Sequence, residues 1–291
     1  MRSVVPILTV LAAILALWYA AAVWMNSTWT LQQAERAGEE LSFSQVAAAS
    51  FGQDRPKLPM PHQVGQEMWK TTGAMVLKGK AFSKRSLLFH GWITLSATLM
   101  GFAIGTGAGI LLAIGIVHSR TMDMSVMPWA IVSQTIPIIA IAPMIIVVLY
   151  SIGVQGTFPK AVISAYLSFF PVVVGMVKGL RAPDAMQLDL LRTYSASRTH
   201  VFWKLRLPAS LPYLFASLKI AMAASLIGAI VGELPTGAVR GLGARLLSGT
   251  YYGQTVQIWS ALFTAALLAA LLVAIIALVE RVVLKRMGMQ S

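Results

Sequence analysis

The sequence predicts an all-α membrane protein of about six transmembrane helices, on three observations. Of its 291 residues, 57% are hydrophobic and 11% charged, against about 45–50% and about 25% in a soluble domain. Mean hydropathy is +0.73. Long apolar runs recur along the chain, each near the ~20 residues a helix needs to cross a bilayer.

The first run, 4–24, is uncharged. It is longer than the apolar core of a signal peptide and reads as a retained helix. The others cover 92–117, 127–150, 161–177, 211–231 and 258–279. Residues 1–86 thus form an N-terminal transmembrane helix plus an external loop. Residues 87–291 form a five-helix core holding a loop at 178–210. Six spans put both termini on one side. One set of loops carries Arg120, Lys178, Arg181, Arg192, Arg198, Lys204 and Arg206, and the tail carries Arg281, Lys285 and Arg286. The opposite short loops carry only Lys160, Arg240 and Arg245. Cytoplasmic loops collect Lys and Arg, so the basic set and both termini are expected in the cytoplasm of a cell-membrane protein. Residues 25–86 also hold basic residues, but loops of that length escape the rule, and Glu35, Glu39, Glu40, Asp54 and Glu67 dilute the charge. Within that loop Leu31, Ala34, Ala37 and Leu41 fall at helical spacing. They read as a short amphipathic helix, either lying on the membrane surface or contacting an external protein.

Two spans are punctuated. In the second, Gly101, Gly105 and Gly109 stand four apart, which lets another helix backbone approach closely. The third contains SQTIPIIAIAP, with Pro137 and Pro143 inside the membrane. Each Pro removes a backbone donor, and the freed carbonyls need protein or water. Ser133, Gln134 and Thr135 beside Pro137 line a polar path or a kinked packing helix.

Much chemistry is excluded. With no cysteine there is no disulfide or thiolate site. No phosphate loop, no zinc-protease helix and no clustered carboxylates occur, and no metal or cofactor is implied. His62, His90, His118 and His200 are scattered and read as surface or interfacial. The net charge of +13 is accounted for by membrane orientation, not by nucleic acid. Lys219 and Glu233 are the ionisable residues read at spans; Lys219 can snorkel, and Glu233 sits at the outer end of the fifth. A proton- or ion-driven carrier usually needs such groups near the midplane, so the energy source is expected in another protein.

The loop before the fifth span is the most unusual stretch. It packs Arg192, Arg198, His200, Lys204 and Arg206 into a segment punctuated by Pro183, Pro208 and Pro212. It reads as two short helices. The first opens at Pro183-Asp184 and carries Gln187, Leu190, Leu191 and Tyr194 on one face. Ser195-Ala196-Ser197 interrupts, with Ser capping the second helix, which runs to Pro208. An amphipathic helix outside the bilayer needs a cover: its own membrane domain, headgroups or a separate protein.

These features, in order, resemble the permease subunits of binding-protein-dependent type I ABC importers. That family carries a cytoplasmic loop reading roughly E-A-A, three residues, G, about nine residues, I-x-L-P. Here Asp189-Leu190-Leu191 stands for E-A-A, Ser195 for Gly, and Leu205-Arg206-Leu207-Pro208 for the end. LPMP at 58–61, SQTIPIIAIAP, LPASLPYLFASLKIA, Glu233 and Gly241-Leu242-Gly243 extend the resemblance over 58–286. It is most similar to the branch importing sulfonates, nitrate, taurine and pyrimidine precursors.

The resemblance implies a permease subunit with no enzyme activity and no cofactor. It implies alternating access, a cytoplasmic ATP-binding subunit, an external or periplasmic solute-binding protein and a second permease copy in a homodimer. Asp189, Leu190, Leu191, Tyr194, Ser195, Ala196 and Arg198 would couple to the ATPase. Ser133, Gln134, Thr135, Pro137 and Glu233 would line the translocation pathway. Both E-A-A alanines are Leu and the family Gly is Ser195, which leaves the fine geometry of the contact open; a positive φ there would strain a serine. A secondary carrier and a non-transporting membrane scaffold are the alternatives; an ATPase that co-purifies separates them from the importer.

Overall fold

The structure, a computed structural model, describes residues 4–38, 41–235 and 240–288. In chain order its helices are α1 (Val4–Ala37), α2 (Phe43–Phe51), α3 (Pro61–Thr71), α4 (Gly73–Leu77), α5 (Leu87–His118), α6 (Arg120–Ser133), α7 (Ile138–Ser151), α8 (Thr157–Leu180), α9 (Ala185–Thr193) and α10 (Arg198–Val201). A π-helical turn, Phe202–Arg206, leads into α11 (Leu207–Glu233), followed by α12 (Leu242–Tyr251) and α13 (Thr255–Arg286). Among the described residues, α1, α5, α8, the run from Arg198 to Glu233, and α13 are long and apolar enough to span a membrane. In such segments the helix satisfies every backbone polar group internally, which lipid cannot do.

The third span, read from its prolines as a broken or a kinked helix, is broken. α6 and α7 meet at 101° across residues 134–137. Pro137 caps α7 in an extended conformation, because a residue without an N–H cannot continue the ladder from α6. The loop helix expected from Leu31 to Leu41 differs: residues to Ala37 simply extend α1, and Glu39 and Glu40 lie outside the described residues. Pro208 does not end α10 either. The Leu207 N–H reaches back to the Phe202 carbonyl, and this wider π turn lets the helix run on through Pro208.

The chain forms two compact units. The first holds Met1–His90 and Arg245–Thr264. Here the LPMP segment is tied to α1: Asn26 Nδ2 donates to the Leu58 carbonyl at 2.9 Å, its Oδ1 accepts from the Leu58 N–H at 3.2 Å, and Trp18 Nε1 donates to the Pro59 carbonyl at 3.0 Å. Trp18 also stacks on Phe263 at 5.7 Å. Burial pushes the Arg245 guanidinium down from its ordinary value, and the Glu67 carboxylate opposes that shift. His90, expected at the surface, is instead buried, its Nε2 3.0 Å from the Lys84 carbonyl.

The second unit holds Gly91–Ala244 and Ala265–Ser291. Its centre is α8, which meets α5 and α11 through small residues. A Cβ at Gly101 or Gly105 would collide with Ser164 or Ser168, and at Gly109 it would sit 2.8 Å from the Phe169 carbonyl. The glycine stripe of α5 is thus a packing face, as van der Waals contact in lipid requires. At the same junction Ser164 and Ser225 hydroxyls lie 2.5 Å apart, and Ser225 Oγ donates to the Thr98 carbonyl at 2.8 Å. Ala113, Ile116, Val173, Met176 and Leu180 form the core towards the α9 end.

Candidate functional site

Local signals build the α9 region. Asp184 caps α9 and its N–H donates to Gln187 Oε1 at 3.3 Å, a reciprocal capping pair. At the other end the Ser195 N–H reaches the Arg192 carbonyl at 2.8 Å, and the Ala196 N–H the Leu191 carbonyl at 3.0 Å. This 5→2 and 6→1 pattern is a Schellman motif, whose C′ residue must be left-handed. Ser195 fills it at φ +52°, and among the described residues it alone takes a positive φ without being glycine. Ser197 then caps α10, its Oγ accepting from the His200 N–H at 3.3 Å. Phe202 and Leu207 anchor the second arm on the core beneath.

Of the α9 face read in the sequence, Gln187, Leu190 and Tyr194 are exposed. Met186, Leu190 and Tyr194 are 77%, 57% and 76% exposed, at i, i+4 and i+8 along one side. Leu191 is half-buried, like Leu188 and Ala196. Leu191 and Ala196 are the C3 and C″ positions whose contact accompanies a Schellman turn. Asp189 pairs with Arg192 at 2.9 Å on the surface, and Arg198 is exposed. Sequence reasoning missed Met186; its four-residue spacing from Leu190 was the available signal.

Ser133, Gln134, Thr135 and Pro137 fall together at the α6–α7 break. The Ser133 and Thr135 hydroxyls donate to their own helix, to the carbonyls of Ala130 at 2.7 Å and Val132 at 2.8 Å. Tyr166 Oη, from α8, donates to the Ser133 carbonyl. Gln134 Nε2 reaches Ser133 Oγ at 3.5 Å. Gln134 therefore keeps most of its hydrogen-bonding capacity.

Glu233 lies elsewhere, with no accessible surface. Thr94 Oγ1 donates to its carboxylate at 2.9 Å and accepts from the Leu242 N–H at 2.9 Å. The Gly243 N–H donates to Oε2 at 2.7 Å, and Lys160 Nζ stands 3.9 Å from Oε1. Gly241 adopts φ +123°, and a Cβ there would fall on the carboxylate. The Gly-Leu-Gly turn is glycine-rich because backbone must close over this acid. Glu233 pins a turn and, within this chain, exposes nothing to a pathway. Lys219 does not snorkel alone either: it pairs with Glu280 at 2.7 Å.

The chain is thus a polytopic helical protein with a broken span and an outward apolar stripe on a short capped helix. Residues 105–289 match the family described as binding-protein-dependent transport system inner membrane component, and the chain belongs to it. It is 31% identical over 200 residues to the formylaminopyrimidine transport permease protein ThiX of Halalkalibacterium halodurans, covering 68% of this chain and 73% of that one. It is 29% identical to the riboflavin transport system permease protein RibX of Chloroflexus aurantiacus, over 84% and 86% of the two chains. To the putative aliphatic sulfonates transport permease protein SsuC of Bacillus subtilis it is 25% identical, over 72% of each. The protein is thus a multi-pass permease subunit of an ATP-driven importer, working with an ATP-binding subunit that hydrolyses ATP and a solute-binding protein.

Proposed function

We propose that α9 and the turn at Ser195 form the coupling element that seats this permease on its ATP-binding subunit. The supporting observation is the stripe of Met186, Leu190 and Tyr194, left exposed on a helix that is capped at both ends. Apolar side chains at helical spacing are the anchors of helix-in-groove recognition. Asp189 and Arg192, with Arg198 beyond the turn, form the polar rim. Leu191, Ser195 and Ala196 hold the shape rather than making the contact.

The basic loops and both termini then lie in the cytoplasm, and two copies of the chain enclose the pathway. Gln134 lines it at the broken span, with Thr135 and Pro137 beside it and Ser133 held by Tyr166. Glu233 contributes by fixing the 241–243 turn. The solute is small and polar, of the sulfonate, nitrate, taurine or pyrimidine kind; formylaminopyrimidine, aliphatic sulfonates and nitrate stand in the names of relatives. Alternating access driven from α9 moves it inward.

Two measurements test this. Permease, ATPase and binding protein reconstituted together should give ATP-dependent uptake that stops when any one is omitted. In intact cells an impermeant thiol reagent should label Lys57→Cys and spare Arg198→Cys, in a chain that has no cysteine of its own. The reverse labelling would put α9 on the wrong side for an ATPase.

A further inference from the structure

Behind α9 lies a cleft of about 440 Å³ lined by His118, Arg192, Arg198, Val201, Phe202 and Arg206, among others. That volume falls within the range of small-ligand sites, about 300–1,000 Å³. Three arginines line it, and among the described residues the only ion pair made by any of them is Arg192 with Asp189. Guanidinium is the side chain best matched to phosphate, through its planar fork of donors. The other walls are apolar: Val201, the Phe202 ring, which meets His118 edge-on at 5.3 Å, and Val117.

The surroundings of the cleft favour a lipid over a soluble anion. His118 is the last residue of spanning helix α5, and Arg198 to Arg206 lead into the run that spans through α11. Trp203, in the same π turn, is 60% exposed, and tryptophan concentrates at headgroup level. Basic pockets between spanning helices on the cytoplasmic side suit anionic headgroups. We infer that this cleft binds the phosphate of an anionic phospholipid, its glycerol end against Val201 and Phe202. Arg192 belongs to α9 and Arg206 to the π turn, so one bound headgroup bridges the two arms of the elbow. The consequence for coupling rests on the α9 reading; the binding itself does not.

The test is native mass spectrometry of the full-length permease, first without and then with the ATPase subunit, released from mixed micelles of phosphatidylglycerol and phosphatidylcholine. Wild type should retain phosphatidylglycerol in preference. Arg192→Gln with Arg206→Gln should cut that retention by about fivefold for each charge removed, while the paired Lys variants, which keep the charge, should hold most of it. Inorganic phosphate should not displace the lipid, and neither should the ATPase subunit. Equal retention of the two lipids, or undiminished retention by the Gln pair, overturns the site. Displacement by inorganic phosphate assigns the cleft to soluble phosphates, and displacement by the ATPase assigns it to protein acids; either overturns the lipid. Because transport is not read, failure here leaves the role of α9 untouched, and failure of ATPase docking leaves this result standing.

Discussion

Replacing Leu190 by Asp removes an outward anchor and leaves the elbow intact. Leu190 is 57% exposed, so roughly half of its side chain is still available for a partner to cover. Burying a whole Leu is worth about 1.5–3 kcal/mol, which gives about 1–2 kcal/mol for the part the ATPase would cover. A carboxylate set unpartnered in the same groove adds at least about 1–3 kcal/mol. The sum, about 2–5 kcal/mol, lowers affinity by roughly thirtyfold to several thousandfold at about 1.4 kcal/mol per tenfold. Leu191→Asp acts differently. It puts a charge at a half-buried position of the Schellman turn, so it should lower the melting temperature of the permease itself. Arg198→Ala, at an exposed rim, should cost under about 1 kcal/mol, and less at high salt. Titrating labelled ATPase subunit onto detergent-solubilised variants, beside thermal melts, reads all three. A Leu190→Asp permease that melts normally, binds its ATPase like wild type and supports uptake would refute the reasoning.

Ser195→Gly should stabilise the elbow by about 1 kcal/mol, since the left-handed conformation costs a non-glycine residue about 1–2 kcal/mol and glycine returns part of that as chain entropy; hydrogen exchange across 185–201 should slow. Gly105→Val should lower the melting temperature or abolish insertion, because its Cβ meets Ser168 and stands 2.8 Å from the Ala165 carbonyl; Gly107→Val, with open space around it, should be tolerated. Gln134→Leu with Thr135→Leu should impair uptake while ATPase binding stays at the wild-type level; unchanged uptake would assign both to packing.

What could be read from the sequence was local. Long apolar runs specify spans through lipid's intolerance of unpaired backbone groups, and Asp184 and Ser197 announced their helix starts by cap chemistry. The Gly101-Gly105-Gly109 stripe announced its close approach in the same way. The rest depends on residues far apart in the chain. Glu233 has its partner Thr94 139 positions away and Lys219 its partner Glu280 61 positions away, so neither pairing leaves a local pattern. On the α9 face read in the sequence Leu190 is exposed and Leu191 half-buried, a difference that two like residues do not announce. Only the Schellman turn, by engaging Leu191 and Ala196, decides which of them faces outward. The π turn past Pro208 was hidden for a related reason: proline signals a stop, and the alternative of a wider turn is visible only from the carbonyl it uses.

The account turns on α9 touching the ATPase, and a site-specific cross-link reads that contact directly. With Leu190→Cys as the sole cysteine of the permease, a short bifunctional reagent in membranes co-expressing the ATP-binding subunit should give one permease–ATPase adduct, absent when the cysteine is placed at Trp129 instead. An adduct from Trp129 and none from Leu190 would contradict the assignment of the coupling surface.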